Sequence, residues 1–117
     1  MNPLNRSFLE GNLTKDPTYR STPGGTLICN FSIAVNRYYG KGDDKEQETS
    51  FFDIEAWGRD AENCQTYAKK GRGVRVYGRL KQERWNNPEG RSCSRVLLIA
   101  KEIEYKPERH KEENFNV

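Results

Sequence analysis

Histidine is almost absent from this chain of 117 residues, since His110, near the C-terminus, is the only one. A serine or cysteine nucleophile normally needs a histidine base beside it, so the sequence argues against a catalytic triad. The three cysteines, Cys29, Cys64 and Cys93, stand far apart, and no C-x-x-C pair occurs. This spacing argues against a zinc site or a disulfide framework and favours free thiols in a reducing compartment.

Long hydrophobic runs are missing as well. Only 33% of the residues are hydrophobic, and the mean hydropathy is −1.03. No stretch approaches the length of a membrane span, and the N-terminal residues lack the apolar segment of a secretory signal. No G-x-x-x-x-G-K-[ST] loop is present to hold a phosphate. The sequence therefore argues against an enzyme, predicts no metal site and leads us to expect a cytoplasmic protein.

Positive charge is concentrated in one third of the chain. The net charge is only +3, but the segment from Arg59 to Arg95 holds ten Lys and Arg residues against four acidic ones. A charge run by itself is most often a solvated surface. The excess indicates a polyanionic partner only when it is considered together with the aromatic residues around it.

Alternation of apolar and polar residues predicts five β-strands. The longest run is TLICNFSIAVNRYY, and the other strands are predicted at residues 7–14, 49–58, 73–85 and 94–105, with loops at 16–25 and 40–48. Between the third and fourth strands, Asp60 as a possible N-cap, Lys69 and Lys70 in a last turn and Gly71 at the stop indicate a short helix.

This order of elements predicts the fold class. Three strands, a short helix and two further strands are the arrangement of the OB-fold, an all-β, five-stranded antiparallel barrel with one short helix between strands three and four. We expect residues 1–106 to form this single domain. Residues 107–117 have almost no apolar content and are predicted to be a short, polar, disordered tail.

The stretch FFDIEAWG, residues 51–58, places aromatic residues on a polar face. Side chains of a strand alternate between its faces, so Phe52, Ile54 and Ala56 are expected to fill the barrel. The opposite face then carries Phe51, Asp53, Glu55 and Trp57, and we expect it to be wet. Carboxylates beside a polyanion are unfavourable, so we predict that Arg75 or Arg79 pairs with them across the sheet.

Other aromatic residues are interleaved with cations in the same way. Tyr38 and Tyr39 end the second predicted strand, Tyr77 and Trp85 lie on the fourth, and the cations among them include Arg37, Arg75 and Arg79. A single-stranded nucleic acid uses both kinds of residue, since bases stack on aromatic rings and phosphates are neutralised by cations. Any one of these aromatics alone could equally be a core or subunit-interface residue.

Several motifs resemble those of one known family. The segments EGNLTKDP, CNFSIAVNR, WGRDAENCQTYAKKG, VYGRL and the loop after Trp85 follow the order found in bacterial and organellar single-stranded DNA-binding proteins, over roughly residues 5–105. The resemblance implies an OB-fold domain, a homotetramer and binding of single-stranded DNA without strong sequence preference. It also implies protection of that DNA during replication, recombination and repair, in the nucleoid, with no cofactor and no reaction.

The resemblance also implies site residues. The base-stacking positions of the family fall on Tyr39, Phe51, Trp57 and Trp85. Its phosphate-contacting positions, together with the cations interleaved with the aromatics, give Arg37, Arg59, Lys69, Lys70, Arg75, Arg79, Lys81, Arg84 and Arg91. Glu83 stands where a cation is common in the family.

The C-terminus departs from the family pattern. Many members end in a long linker and an acidic tip that recruits replication and repair proteins, whereas this chain ends in KEENFNV, with two glutamates and Phe115. The tail is therefore either removed, never present or reduced to a rudimentary tip. Two other OB-fold functions stay open, namely a primosomal replication-restart adaptor acting mainly through protein interactions and an RNA-binding domain of the cold-shock or anticodon type.

Overall fold

The computed structural model describes residues 2–108, which form six β-strands and one α-helix. The strands are β1 (Ser7–Leu13), β2 (Thr18–Ser21), β3 (Leu27–Tyr39), β4 (Glu46–Trp57), β5 (Gly73–Asn86) and β6 (Ser92–Tyr105), and α1 (Arg59–Tyr67) joins β4 to β5. The predicted tail lies almost entirely outside the described residues. The division into a domain at 1–106 and a tail stays a prediction.

Five of the strands close into a barrel. The strand order is β1-β5-β6-β4-β3-β2, and an additional pairing of β1 with β3 closes the ring. The pairings are antiparallel except for β4 with β6, which run parallel through residues 53–55. The predicted fold class, an OB-fold barrel with one helix between the third and fourth barrel strands, is confirmed.

The short strand β2 corrects the prediction of a loop at residues 16–25. Its residues Thr18–Ser21 pair antiparallel with β3, at the open end of the strand order. All four residues are exposed, so they show no apolar alternation that would mark a strand. Backbone hydrogen bonds to β3 hold this segment extended. Because these bonds do not depend on the side chains, the sequence pattern does not show them.

The core follows the predicted alternation of β3 and β4. Cys29, Phe31 and Ile33 of β3 face Ala56 and Ile54 of β4 inside the barrel, and all five are buried. Two residues of α1 close the bottom of this core. They are Ala61 and Cys64, both fully buried.

Phe52 departs from its predicted place in the core, because it is 38% exposed. It lies just before the three residues of β4 that pair with β6. One side of its ring is therefore uncovered, although it is on the inward face. Beyond Ala34, the last residue of β3 that pairs with β1, β3 and β4 form a two-stranded ribbon, which turns through a 3₁₀ segment at Gly42–Asp44. The predicted loop at 40–48 is correspondingly shorter.

The helix begins and ends earlier than predicted. It starts at Arg59 with Gly58 as N-cap, at a φ of 61°, and no side chain caps it. Asp60 therefore lies in the first turn and is not the cap. Because the helix ends at Tyr67, Lys69 and Lys70 follow it instead of forming its last turn. Within residues 2–108, no helix has the length and apolar character needed to cross a bilayer.

Candidate nucleic-acid interface

Three of the four predicted stacking residues share one face of the sheet. We call the outer face the side of β3, β4, β6 and β5 that is turned away from the barrel core. The registers Ala34↔Phe51, Ile28↔Trp57 and Trp85↔Cys93 place all three aromatics on it. All three are exposed, Phe51 by 67%, Trp57 by 42% and Trp85 by 47%. At about 3.3 Å per residue, Phe51 and Trp57 stand roughly 20 Å apart.

The fourth predicted stacking residue lies differently. Alternation along β3 places Tyr38 on the same face as Phe51, while Tyr39 falls on the opposite side of the ribbon. The Tyr39 hydroxyl lies 3.2 Å from Glu46, and the guanidinium of Arg37 lies 5.4 Å from its ring centroid. The two-stranded ribbon leaves both of its faces open to solvent here, so both tyrosines are exposed.

Glu55 lies on the outer face but is not wet, which corrects the prediction. Its residue is only 1% exposed. The Trp57 indole Nε1 donates to Oε1 at 2.9 Å, while Arg20 Nη2 and Asn30 Nδ2 donate to Oε2 at 3.0 and 3.2 Å. Burial by itself raises the pKa of Glu55, but these hydrogen bonds and the charge of Arg20 outweigh it and hold the pKa below 4.5.

Asp53 also finds partners other than the predicted ones. The Ser32 hydroxyl donates to Oδ1 at 2.6 Å, and Arg95 Nη1 lies 3.5 Å from Oδ2. The same Arg95 contacts Glu83 through Nε at 3.0 Å. Arginines therefore pair with both carboxylates across the sheet, as predicted, but the predicted partners, Arg75 and Arg79, were wrong.

The predicted phosphate-contacting cations divide into three groups by their neighbours. Three already contact carboxylates: Arg37 lies 3.8 Å from Glu48, Lys69 contacts Glu108, and Arg75 lies 3.0 Å from Glu10 and 3.6 Å from Glu104. Arg84 donates to the Gln82 amide oxygen at 3.0 Å. The other predicted cations form no ion pair within the described part of the chain; they are Arg59, Lys70, Arg79, Lys81 and Arg91.

Arg79 and Lys81 have the most direct relation to the aromatics. Both lie on the outer face of β5, on the same side as Trp85, and Lys81 is opposite Leu97 of β6. Both are exposed. Arg75 lies on the same strand but beyond an irregularity at Tyr77/Gly78, where β5 pairs with β1. The outer face therefore combines exposed rings, cations with no ion pair among the described residues, and carboxylates that are already neutralised.

Sequence comparison shows where the chain belongs. The sequence model of the Single-strand binding protein family matches residues 4–106. The chain belongs to this family. A single-stranded DNA-binding protein from Treponema pallidum is 42% identical over 101 residues, which is 86% of this chain and 57% of that protein. One from Aquifex aeolicus is 41% identical over 101 residues, covering 86% of this chain and 68% of that protein.

The comparison with solved structures supports the fold. A structure titled Plasmodium falciparum SSB complex with ssDNA matches with a TM-score of 0.81 at 20% identity, covering 92% of this chain and 98% of that one. The chain spans somewhat more than half the length of the Treponema pallidum relative. The relatives agree with the main prediction from sequence and do not support the adaptor alternative.

In this member of the single-strand binding protein family, a tight turn between β5 and β6 follows shortly after Trp85. The Asn87 backbone N–H donates to Arg91 O at 2.9 Å, and the Arg91 N–H donates to the Asn87 side-chain oxygen at 2.9 Å. Gly90 closes the turn with a bond of 2.8 Å to Asn87 O, at a φ of 81°. Arg91 is thus fixed two residue pairs beyond Trp85.

The sequence did not assign two residues of this family member to the interface, Arg20 and Arg95. Arg20 lies in a stretch predicted to be a loop, and Arg95 lies on a strand where alternation alone does not identify its partners. Both form ion pairs with outer-face carboxylates. Arg95 belongs to the segment with excess positive charge, and that charge was the only signal in the sequence that pointed to it.

Proposed function

We propose that this chain binds single-stranded DNA without strong sequence preference and protects it during replication, recombination and repair. The observation that carries the proposal is the composition of the outer face. It presents Phe51, Trp57 and Trp85 for stacking, beside the exposed cations Arg79 and Lys81. Stacking tolerates any base, because every base has a π face, and cations follow the phosphates of any sequence. The names of the relatives point to the same ligand.

The proposed roles of individual residues follow from their positions. We propose that bases stack on Phe51, Trp57 and Trp85, and that a strand passing over the β3–β4 ribbon reaches Tyr39 and Tyr38. Cations without ion pairs are free to contact phosphate, whereas those that already contact carboxylates must exchange partners and should contribute less. Among the described residues, the cations without an ion pair are Arg59, Lys70, Arg79, Lys81 and Arg91. Arg84 contacts only an amide. The cations that already contact carboxylates are Arg37, Lys69 and Arg75.

We further propose that the chain acts as a homotetramer. The hydrophobic content of 33% is low for a domain that stands alone. On the outside of β1 and β5, Phe8 is 74% exposed and stacks on Tyr77, with ring centroids 4.6 Å apart. An exposed apolar pair of this kind is suited to contact a second copy. Light scattering that reports a monomer at micromolar concentration would contradict this proposal.

The remaining predictions follow the DNA ligand. A protein that binds single-stranded DNA acts where the chromosome is, so we propose a cytoplasmic, nucleoid-associated location. We propose no chemical reaction and no cofactor, because stacking and phosphate contacts need neither. Recruitment of replication or repair proteins through the C-terminus falls on residues outside the described part of the chain and stays a prediction.

A titration of tryptophan fluorescence tests the DNA proposal. Both tryptophans of the chain, Trp57 and Trp85, lie on the outer face, so oligo-dT should quench their emission. Quenching should weaken as salt rises, because binding releases counterions from the DNA. Oligo-U and duplex DNA serve as competitors. Absence of quenching at low salt would refute the proposal, and tighter binding of oligo-U would favour the RNA-binding alternative.

A further inference from the structure

Glu55 is a carboxylate buried directly beside the proposed DNA surface. A buried carboxylate is costly unless it is paired and hydrogen-bonded, and a negative charge near DNA is unfavourable. An apolar residue at this position would avoid both costs. The contacts of Glu55 indicate what the site gains from it.

The two oxygens of Glu55 have different partners. Oε1 accepts the hydrogen bond of the Trp57 indole at 2.9 Å, while Oε2 lies 3.0 Å from Arg20 and 3.2 Å from Asn30. The indole N–H is the only donor of a tryptophan side chain. A bond to a carboxylate that is itself held on its other side therefore favours one orientation of the Trp57 ring.

Arg20 completes this arrangement from β2, which lies on the far side of β3 from β4. In the registers, Arg20 of β2 is opposite Ile28 of β3, and Ile28 is opposite Trp57 of β4. Ile28 is fully buried in this row, while the Arg20 side chain is 57% exposed. The Trp57 indole and the Arg20 guanidinium donate to the two oxygens of the same buried carboxylate, so a DNA strand that approaches Trp57 meets a partly exposed cation on the other side of Glu55.

We propose that Glu55 is a positioning residue of the single-stranded DNA site, which holds the Trp57 ring in its stacking orientation while Arg20 neutralises the carboxylate and presents a cation beside the stacked base. This inference rests on the proposed function. A ring that is oriented before binding loses less freedom when a base stacks on it, so affinity is gained without a direct contact from Glu55.

The sign of a mutational effect distinguishes this role from simple electrostatics. If Glu55 were only a negative charge near a polyanion, Glu55→Leu would tighten DNA binding. If Glu55 positions Trp57, the same change weakens binding by about threefold to tenfold, the cost of re-ordering one large side chain. Glu102→Leu is the matched control. It also removes a carboxylate, but Glu102 is exposed on β6 opposite Tyr77 and does not contact Glu55 or Trp57.

A double-mutant cycle with Trp57→Phe shows whether the effect passes through the indole N–H. Phenylalanine keeps an aromatic ring but has no donor for Glu55. Glu55→Leu should therefore weaken oligo-dT binding in the unsubstituted protein and change it less than about twofold in the Trp57→Phe background. Equal losses in both backgrounds, or tighter binding by Glu55→Leu, overturn the proposal. Glu55→Gln, which keeps the size and one acceptor oxygen, should give a smaller loss and serves if the leucine variant fails to fold.

The free protein provides a readout that needs no DNA. In a Trp85→Phe background, Trp57 is the only tryptophan, and its fluorescence anisotropy reports how firmly its ring is held. Glu55→Leu should lower this anisotropy and Glu102→Leu should not. Unchanged anisotropy overturns the positioning role even if DNA binds. Failure of the unsubstituted chain to bind oligo-dT overturns the proposed function, and with it any role of Glu55 in DNA binding.

Discussion

Arg75 and Arg79 illustrate how residues of one type, four positions apart on one strand, acquire different surroundings. The Arg75 guanidinium contacts Glu10 and Glu104, whereas Arg79 forms no ion pair within residues 2–108. Exposed ion pairs contribute little to stability, but they do occupy a cation that would otherwise meet a phosphate. The two arginines are equivalent as sequence features and are separated only by their neighbours.

This difference leads to a prediction about salt dependence. Lys81→Gln and Arg79→Gln should each weaken oligo-dT binding and reduce the slope of log affinity against log salt by about 0.7, the value for one phosphate contact on a single strand. Arg75→Gln should reduce the slope less, because its charge is already shared with two carboxylates. Titrations at four salt concentrations measure the slopes. A larger reduction for Arg75 would place the DNA path over the β1 side of the barrel.

Trp57 carries a second prediction at the residue scale. Trp57→Ala should weaken oligo-dT binding by about 1–3 kcal/mol through loss of one stacked base. Tyr67→Ala is the matched control, because Tyr67 is also about half exposed but lies on α1. Fluorescence anisotropy of labelled oligo-dT measures the affinity, and circular dichroism confirms the fold. Equal losses in the two variants would show that Trp57 acts only through general packing.

At the scale of elements, two glycines control how closely strands approach. A Cβ on Gly78 would lie 2.0 Å from the Ile99 carbonyl oxygen, and one on Gly11 would lie 2.3 Å from the Ala34 carbonyl oxygen. Gly78 also adjoins the irregularity in the β5–β6 pairing. A side chain at either position would push backbone against backbone, so these strands can curve into the barrel only because the positions are glycine.

Gly78→Ala should therefore destabilise the protein by at least about 2 kcal/mol, since neighbouring strands must shift to accept the methyl group. Gly24→Ala is the control, because its Cβ would meet nothing closer than 3.9 Å and its φ is not positive. Urea denaturation measures both variants. A Gly78→Ala protein as stable as the Gly24→Ala protein would contradict the close approach.

Alternation of apolar and polar residues predicted most of the strands but not all of them. It predicted β3, β4, β5 and β6 because each buries one face against the barrel. It failed for β2, whose four residues are all exposed. It also assigned Phe52 to the core, since alternation specifies a face of a strand but not whether another element covers that face.

At the scale of the whole molecule, acid should weaken the fold partly through Glu55. The pKa of Glu55 is lowered in the folded state, so its contribution to stability is present above about pH 4.5 and is lost as the pH falls through the folded value. Glu55→Gln removes this contribution. The difference in unfolding free energy between the two proteins should be constant from pH 7 to 5 and should shrink below pH 4.5.

Urea denaturation at pH 7, 5, 4 and 3 measures this difference. A difference that grows in acid would mean that burial dominates and that the pKa of Glu55 is raised. The network around Glu55 would then not stabilise the charged form.

The sequence by itself determined the barrel, its single helix and the polar face that carries Phe51 and Trp57, because these follow from local alternation and from spacing along the chain. The ordered motifs also determined the family. Only the tertiary structure decided which charges meet. Arg20 is 35 positions from Glu55, and Arg95 is 42 positions from Asp53. Such pairs form because the sheet places distant segments of the chain on adjacent strands, as for Arg95 and Asp53, or two strands apart, as for Arg20 and Glu55. Side-chain reach across the strands then selects the partner. The local sequence pattern therefore cannot predict which arginine pairs with which carboxylate.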